Sequence, residues 1–259
     1  MTISSPANPL VKDVRRATQR GGLTPQGWCV AETFHLLEEA LRDACVRQIL
    51  AAESAGPTVE ELLRQHPEIP LALLPDRLFQ TVSATETSQG VVALVEPRAW
   101  NLDDLFRNPA LVVVLDGLQD PGNAGAIVRA AEAFGATGAL FLKGAVSPYN
   151  PKTLRASAGS LFRVPFVHGV EPDALRQRCT TLYATVPARP GSTARPLSGV
   201  DMARGCALIV GSEARGVSPA LRQASTEISI PTTGVESLNA AVAAGILLYE
   251  ASRQRSARR

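Results

Sequence analysis

Cysteine is scarce in this chain and follows no pattern. Cys29, Cys45, Cys179 and Cys206 are the only four, and none belongs to a C-x-x-C pair. The three histidines, His35, His66 and His168, form no cluster with them. A zinc site or any other metal site is therefore not expected, nor is a disulfide scaffold, and the thiols read as free groups in or near the core. Aromatic residues make up 5% of the chain. No apolar run reaches the roughly 18 residues of a membrane span, and the N-terminus lacks a signal-peptide core. A cytoplasmic protein with no membrane partner is expected. Charge of one sign is lacking too: 26 Lys and Arg face 24 Asp and Glu, a net +2, so no global field announces a nucleic-acid partner. A G-x-G-x-x-G opening a helix, with an acidic residue about 20 positions on, is also missing, which argues against a nucleotide-dependent oxidoreductase.

What is present is a sizeable core: 45% of the 259 residues are hydrophobic, enough for one large or two ordinary domains. Residues 1–97 read as a small α/β unit, with a basic helix over 8–20, a helix over 36–52 and strands near 28–31, 71–74 and 90–95. Pro97 and Pro109 frame a linker over 98–109. From 110 to 259 strands and helices alternate: strands at 111–115, 138–142, 181–186, 207–211 and 227–230, and helices at 124–134, 151–160 and 237–254. The strands are near-continuous apolar runs, as in a parallel sheet covered on both faces. An α/β fold with an open, mostly parallel sheet is expected, and ligands of such sheets bind at the carboxyl ends of the strands. Two basic clusters stand out locally: Lys12, Arg15, Arg16 and Arg20 near the start, and Arg253, Arg255, Arg258 and Arg259 at the end. Either reads equally well as solvated surface.

The most informative segment is LDGLQDPGNAGAIVR at 115–129. It follows a strand and opens a helix, with Asn123 as the expected N-cap and Gly122 and Gly125 leaving room for close approach. Arg129, six residues past that cap, would lean toward the helix N-terminus, where the dipole disfavours a cation. Such a placement suggests a polar or anionic partner. Two more strand–turn segments share its position at strand ends: LIVGSEARGVSP at 208–219 and ISIPTTGVESLNAAVAA at 228–244.

Together the three segments resemble the motifs of the SpoU/TrmH family of SPOUT RNA 2′-O-ribose methyltransferases. Asn123, Gly125 and Arg129 match the first motif; Gly211, Glu213 and Gly216 the second; Ile230, Pro231, Gly234, Ser237, Leu238 and Asn239 the third. ISSPANPLVK at 3–12 and QGVVA at 89–93 resemble the substrate-binding domain that precedes many such enzymes, whose fold is like that of ribosomal protein L30e. In that domain Glu32-Thr33 stands where an acidic residue and a glycine are usual. The resemblance implies a C-terminal trefoil knot and S-adenosylmethionine as cofactor. It also implies an RNA substrate, ribosomal rather than transfer RNA, and a homodimer. The final helix, apolar nearly all round, would suit burial between subunits. A transfer-RNA enzyme and a non-catalytic RNA-binding protein on the same fold are the alternatives.

The resemblance further assigns the cofactor site to Thr185, Val186, Gly211, Ser212, Glu213, Ile230, Pro231, Ser237, Leu238 and Asn239. Ile230 and Leu238 would flank the adenine, and Ser237 would cap the last helix. Arg129, Asn123, Glu213 and Asn239 would serve catalysis. A guanidinium is protonated at every physiological pH. Arg129 is therefore better suited to holding phosphate and a developing alkoxide than to taking up a proton.

Overall fold

The structure, a computed structural model, describes residues 1–188 and 192–257; Arg258 and Arg259 of the C-terminal basic cluster lie outside the described residues. Two compact units are present, one of Met1–Ala99 with Tyr149–Arg163, the other of Trp100–Pro148 with Val164–Arg259. Residues 1–99 run α1 (Pro9–Arg20), β1 (Cys29–Glu32), α2 (Phe34–Asp43), β2 (Cys45–Ala52), α3 (Gly56–Leu62), β3 (Leu71–Leu74), α4 (Asp76–Phe79) and β4 (Val91–Glu96). From residue 100 onward come α5 (Leu102–Leu105), β5 (Leu111–Asp116), α6 (Pro121–Ala133), β6 (Gly138–Leu142), α7 (Pro151–Ser157), α8 (Ser160–Arg163) and β7 (Phe166–Val170). They continue with α9 (Pro172–Arg178), β8 (Leu182–Thr185), β9 (Arg195–Pro196), β10 (Cys206–Gly211), α10 (Pro219–Gln223), β11 (Thr226–Ser229) and α11 (Ala240–Ser256).

The first unit holds a four-stranded sheet in the order β1-β4-β2-β3, with β4 antiparallel to both neighbours and β2 parallel to β3. Helix α1 starts cleanly: the Asn8 side chain accepts from Leu10 N–H, and Pro9 occupies the first helical position. Gly21 ends it in the left-handed region at φ 62°. The buried face of α1, Val11, Val14 and Ala17, packs on Val30, Leu50, Phe79 and Leu94. The expected helix over 36–52 is two elements. Its first part is α2, and the chain turns extended at Ala44 (φ −129°, ψ 168°) before β2. The β-branched Val46 and Ile49 pair in register with Val95 and Ala93 of β4. Tertiary pairing thus overrides a weak local helix preference.

Tyr149–Arg163 belongs by its contacts to this first unit, although it lies between strands of the second. The single helix expected over 151–160 is broken into α7 and α8 by Ala158 (φ 48°) and Gly159 (φ 89°). Arg155 reaches the buried Glu32 carboxylate at 3.1 Å, and Arg163 reaches Glu39 at 2.5 Å and Asp43 at 3.0 Å. Glu32 also accepts from Ala84 N–H (3.0 Å) and from the hydroxyls of Thr85 (2.9 Å), Ser88 (3.1 Å) and Ser83. It is 2% exposed, so its charge is balanced by donors rather than by water.

The second unit is built on a seven-stranded sheet in the order β7-β6-β5-β10-β8-β11-β9, parallel throughout. Strands β5 and β6 are buried along their whole length, as expected where helices cover both faces. Strand β7 and helix α9 did not stand out in the sequence, because β7 is an outer strand with an exposed centre at His168 and Gly169. No helix among the described residues is long and apolar enough to cross a membrane. Because the sheet is parallel, the carboxyl ends of β5, β8, β10 and β11 all open on one side.

Two helix starts differ from expectation, and both differences bear on the site. The N-cap of α6 is Asp120, whose carboxylate accepts from Asn123 N–H at 2.6 Å, with Pro121 as the first helical residue. Asn123 therefore sits inside the first turn, with its side chain free for other work. The N-cap of α11 is Asn239, not Ser237. A residue able to cap lies near each start; Pro121 as the first helical residue puts the first cap at Asp120, and the Asn239 side chain, which accepts from Ala241 and Val242 N–H, makes the second.

Candidate functional site

At the carboxyl ends of β8, β10 and β11 lies a cavity of about 800 Å³, within the range of small-molecule sites. Its lining includes Thr185, Val186, Gly211, Ser212, Glu213, Ile230, Ser237, Leu238 and Asn239. These are nine of the ten residues expected there; Pro231, exposed at the turn after β11, is not among the lining residues. Arg215, Val217, Arg222, Thr232, Glu236, Ala240 and Ala243 also line it. The alanines went unnoticed because a small residue near a helix start reads only as good helix propensity. Arg215 and Thr232 lie inside the motif segments, and that position was the one available signal.

The loop after β10 shows why two glycines are needed. A Cβ on Gly211 would lie 2.0 Å from the Gly216 carbonyl carbon and 2.1 Å from Val217 N. The chain folds back on itself there. Ser212 N–H donates to Gly216 O (3.2 Å) and Gly216 N–H to Ser212 O (2.9 Å), with Gly216 at φ 67°. Only glycine tolerates the contact at 211, and glycine is favoured at 216. The loop end is tied to the sheet by Asp116, a buried carboxylate at the end of β5 that accepts from Ser218 N–H at 2.6 Å. That tie was not read from the sequence, where Asp116 appeared only as the end of a strand.

The three motif segments meet in one hydrogen-bonded chain. Asn239 Oδ1 accepts from Ala241 N–H (2.9 Å) and Val242 N–H (3.2 Å) at the start of α11. Asn239 Nδ2 donates to Asn123 Oδ1 at 2.9 Å, and Asn123 Nδ2 donates to Glu213 Oε1 at 2.7 Å. The direction is fixed at both ends. Helix N–H groups can only donate, and an ionised carboxylate can only accept. Each intervening residue must therefore accept on one side and donate on the other, which a carboxamide does and a carboxylate does not. Asn123, Glu213 and Asn239 are 90 and 116 residues apart in sequence along these bonds.

Arg129 has a different status from the one its sequence position suggested. Because α6 starts at Pro121, Arg129 is well beyond the first turn, where the dipole acts. The argument from an opposed dipole therefore fails. Arg129 is exposed and makes no side-chain hydrogen bond or ion pair among the described residues, as is also true of Arg215 on the cavity wall. Glu213 is engaged by Asn123. Thr185 Oγ1, on the cavity wall, is buried without a hydrogen-bond partner among the described residues, an acceptor and donor left for something else. Lys143, Arg155 and Arg163, basic residues of this half of the chain, are each held by carboxylates. No grouping of three or more His, Cys, Asp or Glu side chains that could hold a metal ion occurs among the described residues.

A parallel α/β unit whose separate turns converge on a cavity at the strand ends belongs to the class of open-sheet ligand-binding proteins. Within that class the chain belongs to the SpoU rRNA Methylase family, whose model matches residues 110–249. The MRM3-like substrate binding domain matches residues 8–93. The chain is 32% identical to the 23S rRNA (guanosine(2553)-2′-O)-methyltransferase of Bacillus subtilis, over 95% of this chain and 97% of that one. It is 37% identical to the 23S rRNA (uridine(2479)-2′-O)-methyltransferase of Streptomyces viridochromogenes, over 75% and 71% of the two chains. Among solved structures, the SpoU methyltransferase AviRb from the same Streptomyces, in complex with the cofactor AdoMet, superposes with a TM-score of 0.79 at 31% identity. That match covers 96% of this chain and 100% of that one.

Proposed function

We propose that this protein is an S-adenosylmethionine-dependent RNA 2′-O-ribose methyltransferase acting on ribosomal RNA. The observation that carries the reading is the Asn239–Asn123–Glu213 chain, which joins all three motif segments beside the cavity. Relatives named for 2′-O-methylation of 23S rRNA support the same activity.

The residues present fit the cofactor. The Gly211 turn brings bare backbone to the cavity wall, and Thr185 Oγ1 is an unmatched polar atom beside it. Thr185, Val186, Gly211, Ser212, Ile230, Ser237 and Leu238 would hold it, with Ile230 and Leu238 against the adenine. Pro231 sets the course of the turn from outside the lining. S-adenosylmethionine supplies a methyl group activated by its sulfonium.

The protein's own part is positioning and charge. Asn239, anchored by the α11 N–H groups, holds Asn123, and Asn123 holds Glu213, so the three motif turns keep one geometry. Arg129, not neutralised by any described carboxylate, is available to an RNA phosphate and to the negative charge that grows on the ribose 2′-oxygen. The 2′-proton leaves to an acceptor other than Arg129, since the guanidinium has no lone pair to offer.

In this reading residues 1–97 hold RNA, residues 98–109 link, and residues 110–259 carry the chemistry. The same likeness brings with it the trefoil knot, the cytoplasmic location and a homodimer. The support for the dimer on this chain is the apolar exposure of Val242 and Tyr249 on α11. Light scattering on the purified protein checks that point. Calorimetry with S-adenosylmethionine, followed by mapping of 2′-O-methyl sites in ribosomal RNA with and without the gene, tests the function. Saturable binding and one lost methyl site are expected. Binding without any lost site would point to the non-catalytic alternative.

A further inference from the structure

Most cations of the first unit are partnered, and of those without a partner among the described residues all but Arg77 lie on α1. Arg42, Arg47 and Arg64 each pair with a carboxylate (Glu39, Glu96 and Glu61), and Arg155 and Arg163 do the same. The four cations of α1 do not. Lys12, Arg15, Arg16 and Arg20 make no side-chain hydrogen bond or ion pair among the described residues. The single acid of that helix, Asp13, is contacted by Gln26.

The spacing is unfavourable for the helix itself. Val11, Val14 and Ala17 take the buried face, which leaves Lys12, Arg16 and Arg20, at i, i+4 and i+8, along the outer face, with Arg15 beside them. Like charges four apart on a helix cost about 0.2–0.5 kcal/mol per pair, and the first turn contains no acid to offset them. Folding therefore gains little from this arrangement beyond the favourable place of Arg20 in the last turn. The cap at Asn8, the left-handed stop at Gly21 and the packed inner face hold the stripe on a rigid element. The three cations rise about 6 Å apart along the axis. No aromatic residue lies in α1, so the face offers charge without a surface for stacking bases.

We infer that the outer face of α1 binds the sugar–phosphate backbone of RNA, without regard to sequence. This rests on the proposed function for the identity of the polyanion, and it adds the place and the mode of contact. An acidic protein partner would need the same charge but would not give the same salt response on RNA.

The test compares two triple variants of the full chain that lose the same charge from the same unit: K12A/R16A/R20A and R42A/R47A/R64A. Polyuridylate binding is measured across a salt series. Each lost phosphate contact on a single strand lowers the slope of log K against log salt by about 0.7. The α1 variant should therefore lose about two units of slope and bind at least roughly tenfold more weakly at low salt. The variant with the paired cations should keep the wild-type slope. Thermal melting gives a second readout, in which the α1 variant should be as stable as wild type or slightly more so, because like-charge repulsion has been removed. Equal slopes in the two variants, or an unchanged slope in the α1 variant, would overturn the inference. If polyuridylate shows the slope difference while no methyl transfer is found with the wild-type protein, the inference stands and the proposed function fails.

Discussion

The two units use polar groups in opposite ways. In the first, buried charge is closed in on itself: Glu32 is surrounded by Arg155, three hydroxyls and a backbone N–H. In the second, the polar chain from α11 through Asn239 and Asn123 ends on a carboxylate at the rim of a cavity. Arg129, on the helix that carries Asn123, makes no side-chain hydrogen bond or ion pair among the described residues, and the Thr185 hydroxyl on the cavity wall has no hydrogen-bond partner among them. A network with every member satisfied specifies a fold; one that stops at a cavity leaves capacity for a ligand. The difference separates a network that serves shape from one that is open to chemistry.

The comparison can be broken from either side. The largest effect is expected from Gly211→Ala. Its Cβ would sit about 2.0 Å from backbone, so the loop from 212 to 216 must move. Calorimetry should show S-adenosylmethionine binding weakened at least roughly a hundredfold, as a displaced backbone contact set would give. Asn123→Ala comes next. Removing the middle of the chain should lower kcat by roughly ten- to a hundredfold with little change in melting temperature. In a double-mutant cycle with Glu213→Ala the losses should be non-additive, since both cut the same bond; additive losses would show that the bond does not matter for turnover.

On the structural side, Arg155→Ala should leave the first unit less stable by about 3 kcal/mol. That is the low end for breaking a buried ion pair, because the other donors to Glu32 remain. Denaturant unfolding measures it. The smallest effect is expected at Thr33. Its φ of 116° lies where glycine is at ease and threonine is not. Its hydroxyl still caps α2 by accepting from Leu36 N–H. Thr33→Gly should relieve about 1–2 kcal/mol of strain and lose only a few tenths from the cap. A rise in melting temperature is expected, with methyl transfer unchanged.

The Glu32-Thr33 pair also shows how much could be read in advance. A departure from the family pattern at 33 was visible as letters; that it places threonine in a glycine conformation was not, because backbone angles leave no mark on one residue type. The parallel sheet was legible because its strands are continuous apolar runs. The cavity residues were legible because they lie in segments that resemble the family's motifs, and those segments fall at strand ends. Both helix starts differ from expectation, by three residues at α6 and two at α11: aspartate, asparagine and serine can all cap, and neighbouring residues decide which one does. The same shift removed the electrostatic argument for Arg129 and replaced it with a better one, its lack of a partner. The tie from Asp116 to Ser218 spans 102 residues, and no local pattern encodes a contact of that range.

The central claim is that the second unit transfers a methyl group to a ribose 2′-oxygen with Arg129 at the reacting centre. The direct measurement is tritium transfer from labelled S-adenosylmethionine to ribosomal RNA by wild type and by Arg129→Ala, with cofactor binding followed by calorimetry on both. The account predicts label on a 2′-oxygen with wild type, and none above background with the variant, while cofactor affinity stays within about threefold, as expected for a residue outside the cavity lining. Near-normal transfer by Arg129→Ala would contradict it.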